Sequence, residues 1–374
     1  MVKEENEYIN TLILTKEGFK QLTNIRVGDT VASGDKDFHV IASISKTNEK
    51  TIKIVTSNCH CVEIPGKYEL YLRKKSFVNV NNNGHTTTKR LFSRPEWIKA
   101  ENLSKNYFVG YPVNQNSIIP SWDGVEYIRG RSKYIKKMLN MEDENLWYLV
   151  GRFLGDGWIK TRKDRNNHIS GLIICTSKIN GEDEAFESKI PEWAHYNKIN
   201  DSTTYKYQFP NKELATFCNL FGKGADGKFI PGFVFDMPID LISKLLEGYL
   251  DSDGCCINNL YKVTSVSKKL IYGVGQLVAK TYHVPFSIYK TQKSKEDFIQ
   301  GRKVTQKSSY ELTWRLEANK RAAFYENGYI WSPVKKIERI NSFSDVYNIK
   351  INENGSFIAN GCIVRITDNC KGDI

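Results

Sequence analysis

The chain has 374 residues, enough for two or three domains with cores of their own. Charged residues make up 26 % and hydrophobic residues 40 %, the balance of a globular protein rather than a disordered one. No apolar run reaches the roughly 18 residues of a membrane-spanning helix, and the charged opening Met1-Val-Lys-Glu-Glu-Asn-Glu has no signal core, so an intracellular protein, cytoplasmic or nuclear and without a membrane partner, is expected.

Lys and Arg number 54 against 42 Asp and Glu, a formal charge of +12. Such an excess suits a polyanion, with DNA and RNA the first candidates and a merely basic protein the alternative. The eight cysteines do not form a disulfide framework. Cys59 and Cys61 stand too close for a usual zinc pair and Cys255-Cys256 are adjacent, so reduced thiols are expected.

The chain opens as β structure. Thr11–Thr15 reads as a short apolar strand before the turn signal Lys16-Glu17-Gly18, and further strands are expected at Phe38–Ser45 and Thr51–Thr56. Arg73–Arg94 is polar and basic, with an Asn-Gly pair that favours a hairpin. It reads either as a DNA-touching ribbon or as a solvated loop. From Glu142 the period becomes helical, with Leu146, Leu149, Val150, Phe153 and Leu154 on one face. Ile239–Leu250 repeats that pattern.

Each helical run ends in Asp-Gly, at Asp156-Gly157 and Asp253-Gly254, and each is followed by a β-like run closing in Thr-Ser, Ile173–Ser177 and Tyr261–Ser265. This is an internal duplication. A further apolar helix is expected at Lys269–Tyr282. The chain then returns to β at Val334–Ile340, Val346–Ile351, Ser356–Ile358 and Ile363–Ile366, so the duplicated unit reads as an insert in a β domain.

The first copy is Leu149-Val-Gly-Arg-Phe-Leu-Gly-Asp156-Gly157 and the second Leu246-Glu-Gly-Tyr-Leu-Asp-Ser-Asp253-Gly254. Both carry a mid-helix glycine, Gly151 and Gly248, which costs about 0.5–1 kcal/mol relative to alanine. Close packing of the two helices about a pseudo-twofold axis would offset that cost and bring Asp156 and Asp253 together at the helix tips. Two carboxylates there repel each other and the helix dipoles, and Mg²⁺ would relieve the repulsion.

These motifs resemble the pair found in LAGLIDADG homing endonucleases, over roughly residues 140–330. The resemblance implies an αββαββα unit in each half, two sheets lying over the DNA major groove, and site-specific double-strand cleavage by a monomer that needs Mg²⁺, with Mn²⁺ able to substitute. It assigns the metal to Asp156 and Asp253, with the carbonyls of Gly155 and Ser252 as further ligands; Asp251 has no symmetric partner. Lys228-Phe-Ile-Pro231, its lysine 25 residues before Asp253, resembles the family's Lys-x-Ile-Pro element with its catalytic lysine. The corresponding stretch in the second half, Tyr329–Pro333, has no lysine, and Lys320, Lys335 or Lys336 are possible substitutes. DNA contacts are expected from Lys160, Arg162, Lys163 and Arg165 after the first motif, and from Lys290, Lys293, Arg302 and Lys303 after the second.

The flanking regions, roughly residues 6–115 and 333–370, resemble inteins and their Hint fold. Ile25–Val31 looks like part of the N-terminal block, Ser57-Asn-Cys-His60 like the block whose histidine polarises the scissile bond, and Val346–Gly361 like the C-terminal block. The splicing nucleophile's place falls at Asn6, which has none, while Asn369-Cys370 resembles the C-terminal junction with Asp368 where a histidine is usual. The expected fold class is therefore α+β: a pseudo-twofold, duplicated αββαββα endonuclease inserted in an all-β Hint (intein-type) domain.

The expected boundaries are 1–135, with a possible DNA-contacting insertion near 65–95, then 136–328, then 329–374. Three functions remain open at this stage: a homing endonuclease, a protein-splicing element whose nuclease is secondary or inactive, and a nucleic-acid-binding module that does not cut.

Overall fold

The structure, a computed structural model, describes residues 10–82, 85–129, 133–162, 168–179, 181–292, 295–299, 302–317, 322–352 and 355–366. The chain forms two compact units. One comprises Met1–Asn114, Tyr282–Ile288 and Trp314–Ile374, the other Gln115–Thr281 and Tyr289–Thr313.

The first unit is β throughout, apart from short 3-10 turns. Its two longest strands, Phe38–Thr56 and Tyr329–Ile351, run antiparallel to each other, with register shifts near Arg339–Phe343. The two strands expected from 38 to 56 are thus one: the polar stretch Lys46–Lys50 continues the ladder opposite Phe343–Tyr347. The core is aliphatic, with Ile13, Val31, Ile54, Val62, Leu70 and Val346 among its fully buried members. N-terminal and C-terminal segments interleave. Ile13 pairs with Ala359, and Asn360 accepts from the Leu12 N–H at 2.9 Å through Oδ1 and donates to the Cys61 carbonyl at 2.7 Å.

The stretch Glu144–Trp314, most of it in the second unit, repeats itself. Its first half runs helix α1 (Glu144–Asp156), strands Gly157–Arg162 and His168–Ser177, helix α2 (Glu182–Glu187), strands Asn197–Asn200 and Thr204–Phe209, then helix α3 (Lys212–Cys218). The second half runs helix α4 (Ile239–Asp253), strands Gly254–Ile257 and Leu260–Ser265, helix α5 (Lys268–Tyr282), then strands Phe286–Gln292 and Ser309–Trp314, with the hairpin Lys295–Ile299/Arg302–Gln306 between those last two. Both four-stranded sheets have the spatial order first, second, fourth, third. A shared order is what a duplicated unit folding twice by one rule produces.

Helix α1 begins at an Asp143 cap, whose side chain accepts from the Asn145 N–H at 2.9 Å. Its nine residues from Leu146 to Leu154 are all buried, so it is covered on every side rather than along one stripe. The closest approach is to α4. A Cβ on Gly151 would lie 2.1 Å from the Leu245 carbonyl oxygen, and one on Gly248 would lie 2.1 Å from the Tyr148 oxygen. Backbone meets backbone there, which rules out any side chain at either position.

Alanine at residue 151 or 248 would gain helix propensity but meet a carbonyl that cannot rotate away. We expect Gly151→Ala and Gly248→Ala each to lower stability by about 1–3 kcal/mol. Urea unfolding measures it, and an unchanged or raised midpoint would show that the helices do not pack this tightly.

Candidate active site

The packing of α1 on α4 fixes where both helices end. A Cβ on Gly155 would sit 2.0 Å from Ser252 Oγ and 3.3 Å from Asp253 Cγ, so the α4 tip lies against the residue preceding Asp156. Asp253 is crowded on its inner side and open on its outer side. Loss of water on the crowded side pushes its carboxyl up to about 6, the Asp156 charge adds to the rise, and Lys228 and Arg152 oppose it. Burial also raises Asp156, with Arg152 pulling it down, Glu182 pushing it up and Lys228 pulling it down.

Two buried cations stand behind the carboxylates. Lys228 lies just before the 3-10 turn Gly232–Asp236 and is only 5 % exposed. Its ammonium donates to the carbonyls of Phe153 at 2.7 Å, Gly155 at 2.9 Å and Gly157 at 2.9 Å. All three of its protons therefore cap the C-terminal end of α1, where the dipole is negative. Burial lowers Lys228 to about 8, and Asp253 and Asp156 hold it from falling further. Its backbone is fixed in turn: Ser267 Oγ donates to the Lys228 carbonyl at 2.6 Å and accepts from the Leu270 N–H at 3.2 Å, capping α5.

Arg152 is the second cation and is fully buried. It donates to the Asp251 carbonyl on α4 at 2.5 Å, to the Cys175 carbonyl at 3.1 Å and to Glu182 Oε1 at 2.7 Å. The other Glu182 oxygen accepts from the Ser177 N–H at 3.1 Å, which ties the end of the first Thr-Ser run into the same network. Sequence reading missed both residues. The signal was available, since an arginine in the middle of an otherwise apolar helix face demands a buried partner.

The structure places Asp156, Asp253, Gly155, Ser252 and Lys228 in this one cluster. Gly155 already gives its carbonyl to Lys228. Asp251 points elsewhere, accepting from Tyr148 Oη at 2.9 Å and pairing with Lys189 at 3.0 Å. Lys160 is exposed on strand Gly157–Arg162 and donates to Gln208 at 3.1 Å, with Arg162 exposed two residues on. Lys290 is exposed, and Arg302 and Lys303 lie on one strand of the hairpin. Lys163, Arg165, Lys293, Lys320, Asn6, Asn369 and Cys370 lie outside the described residues.

His60, in the first unit, is buried, and burial lowers it to about 4, opposed by a backbone hydrogen bond at Phe286, so it is neutral at pH 7. Its Nδ1 lies 3.1 Å from the point a Cβ on Gly361 would occupy, next to the C-terminal strand Cys362–Arg365.

Among the described residues no group of three or more His, Cys, Asp or Glu is arranged to hold a metal. Two carboxylates with an open outer side nonetheless fit Mg²⁺, which keeps several waters and commonly takes one or two protein carboxylates. Both carboxyls are raised, as expected of a pair that a cation would stabilise.

No family model matches the chain. It is 25 % identical over 252 residues to a DNA polymerase of Thermococcus sp. (strain GE8), a match covering 60 % of this chain and 15 % of that protein. It is 25 % identical over 324 residues to a probable translation initiation factor IF-2 of Methanocaldococcus jannaschii, covering 80 % of this chain and 23 % of that protein. The chain thus spans less than a quarter of the length of these relatives. Similar solved structures include the homing endonuclease I-DmoI in complex with DNA and Mn, at 14 % identity and TM-score 0.33 over 46 % of this chain and 89 % of that one. They also include the N-terminal LAGLIDADG domain of WhiA, at 10 % identity and TM-score 0.29 over 46 % and 76 %. No helix among the described residues is long and apolar enough to cross a membrane.

The site has a pH signature. Asp253 titrates near 6 in the folded chain against an ordinary 3.8, so protonation favours the fold below 3.8 and that stabilisation is lost as pH rises through 6. Without metal at pH 8, Asp253→Asn should raise the unfolding temperature, and the gain should vanish near pH 4. Mg²⁺ should stabilise the parent and not the variant. A variant less stable than the parent at pH 8, with a parent indifferent to Mg²⁺, would remove the basis for a cation site.

Proposed function

We propose that the chain is a site-specific endonuclease of the LAGLIDADG homing-endonuclease class, making double-strand breaks in a long DNA target and carried in an intein-like β domain. The observation that carries this reading is the pair of raised carboxylates, Asp156 and Asp253, at the tips of two helices whose backbones touch. Two related half-sites in one chain suit a monomer acting on both strands of one duplex.

The residues divide the work. Asp156 and Asp253 would hold Mg²⁺, or Mn²⁺ in its place, aided by the Ser252 carbonyl, the Gly155 carbonyl being engaged by Lys228. A cation held there would lower the pKa of water and neutralise charge on a scissile phosphate. Lys228 positions the α1 tip and keeps a positive charge behind it, which favours the negative charge that develops as water attacks phosphorus. Arg152 fixes the α4 tip in the same way. Lys160, Arg162, Lys290, Arg302 and Lys303, on the strands that follow the helices, together with Lys163, Arg165 and Lys293, supply contacts to phosphates and base edges.

A protein-splicing origin is the second reading, favoured by the placement of His60 beside Gly361. Resemblance to small parts of a polymerase and of an initiation factor also suits an element carried in different hosts. Asn6, without a thiol or hydroxyl, argues against completed splicing. Mass analysis of the chain flanked by foreign sequence tests this, with an unspliced product expected.

For the nuclease, cleavage-site selection from a random DNA pool with Mg²⁺ should return one long site. Asp253→Asn should abolish cutting, by about 10³-fold or more if the metal is lost, and leave binding intact. Cutting at the parent's rate by that variant would sink the assignment.

A further inference from the structure

The first unit carries a ribbon that neither the nuclease cluster nor the splicing-like residues use. Strand Glu69–Asn82 pairs at its start with Glu96–Lys99 and Tyr107–Pro112. From Lys75 onward it pairs with His85–Phe92, through eight residue pairs from Lys75↔Phe92 to Asn82↔His85, and the last backbone bond to the other side is Lys75 N–H to the Asn106 carbonyl at 2.8 Å. At about 3.4 Å per residue such a ribbon is about 27 Å long. Both of its faces are accessible: Phe77 is 61 % exposed, Val78 45 % and Leu91 40 %. At its base Phe92 packs on Phe108 and Phe324; beyond that, a two-stranded hairpin whose exposed apolar side chains face solvent is marginal by itself, so its length calls for a partner.

The charge is one-sided. From Leu70 to Pro95 the sequence has six Lys and Arg and no Asp or Glu. Among these, Arg73 is paired with Glu326 of a neighbouring strand. The register sorts the rest. Lys75, Phe77, Asn79 and Asn81 share a face with Thr86, Thr88 and Arg90. On that face Thr88 Oγ1 donates to Asn79 Oδ1 at 3.0 Å and Thr86 Oγ1 donates to Asn81 Oδ1 at 3.1 Å. The carboxamide oxygens are thereby occupied, while among the described residues no hydrogen bond uses either carboxamide nitrogen. What the face offers is donors: two amide NH₂ groups and an ammonium, with the Arg90 guanidinium lying over the rings of Phe92, Phe108 and Phe324 at its base.

We infer that this ribbon docks into the major groove of duplex DNA as a second recognition element, separate from the carboxylate site. The major groove, about 12 Å wide, admits a two-stranded β-ribbon and is rich in acceptors, guanine N7 and O6, adenine N7 and thymine O4. Asn79 and Asn81 suit adenine or guanine edges, Lys75 and Arg90 suit guanine or phosphate, and Lys89 on the opposite face reaches the backbone. A protein partner would be expected to meet the exposed apolar residues on one face. Here Phe77 and Val78 lie on opposite faces, and the feature common to the ribbon is positive charge.

The test uses the full chain without metal and a random-sequence duplex several helical turns long, with affinity followed as salt is raised. Lys75→Ala, Lys89→Ala and Arg90→Ala combined should flatten the dependence of log affinity on log salt by up to about 2.7, that is about 0.9 per phosphate contact. Lys46→Ala with Lys50→Ala, elsewhere on the same unit, should leave it unchanged. Asn79→Ala with Asn81→Ala alters exposed positions only and should leave the slope and the unfolding temperature alone. In selection from a random pool, that variant should lose sequence preference over one block of the bound site.

Unchanged slope and unchanged bound site would overturn the inference, as would preference for single strands over duplex. Cleavage with Mg²⁺ is scored separately. Ribbon effects without any cutting would refute the nuclease reading and leave this one standing; cutting with no ribbon effect would do the reverse.

Discussion

The contact of Gly151 with α4 and of Gly248 with α1 is the constraint from which the site follows. With a carbonyl oxygen 2.1 Å from either missing Cβ, the two helices cannot slide or rotate without a clash or a gap. Because Gly151 lies five residues before Asp156, as Gly248 does before Asp253, a contact fixed at the glycines carries both aspartates to adjacent helix ends. The site is thus a consequence of backbone packing several residues away. It needs no loop to close over it, and its carboxylates are preorganised in the sense that matters for binding a cation.

That much was legible in the sequence because it is periodic and local. A glycine in a helix interior and a repeated Asp-Gly offset need no knowledge of the rest of the fold. The β domain was legible in outline: Thr11–Thr15 and Ser356–Ile358 are strands within a residue of their expected ends. Separate strands were expected where single ones run, because Lys46–Lys50 and Asn341–Asp345 look like breaks when read alone. They are continuous because Lys46–Lys50 finds its ladder partners in Phe343–Tyr347, across nearly 300 residues of sequence, with the register shifting just before Phe343. Pairing at that range leaves no local trace. Helices α2 and α3 also went unread. At 6 and 7 residues they are too short for periodicity to declare itself, and they exist by packing on the sheet rather than by propensity.

The two halves share an order of strands but not a chemistry. Counting from the matched glycines, Arg152 in α1 stands where α4 has Tyr249. Arg152 reaches the Asp251 carbonyl, Cys175 and Glu182, building a buried ionic network around α1. Lys228, likewise, caps α1 through three carbonyls. Both helix ends are therefore met by buried cations, but the α1 end by an ammonium spending every proton there and the α4 end by one arm of a guanidinium. A pseudo-twofold backbone can drift in this way because the symmetry that must be kept is that of the helix contact, and side chains beyond it are free to differ.

The charges in this network bear on what the site can bind. Asp156, Asp253 and Glu182 bring three formal negative charges, Lys228 and Arg152 two positive ones, so the cluster with every carboxyl ionised carries a net −1. A phosphodiester approaching it would meet repulsion. One divalent cation held by the two aspartates would change the sum to +1 and the repulsion to attraction. On the proposed reading the two buried cations serve this balance. Without them the site would need more than one divalent cation before DNA could approach. Burial of Lys228 and Arg152, costly to the fold, places the site one divalent cation away from attracting phosphate.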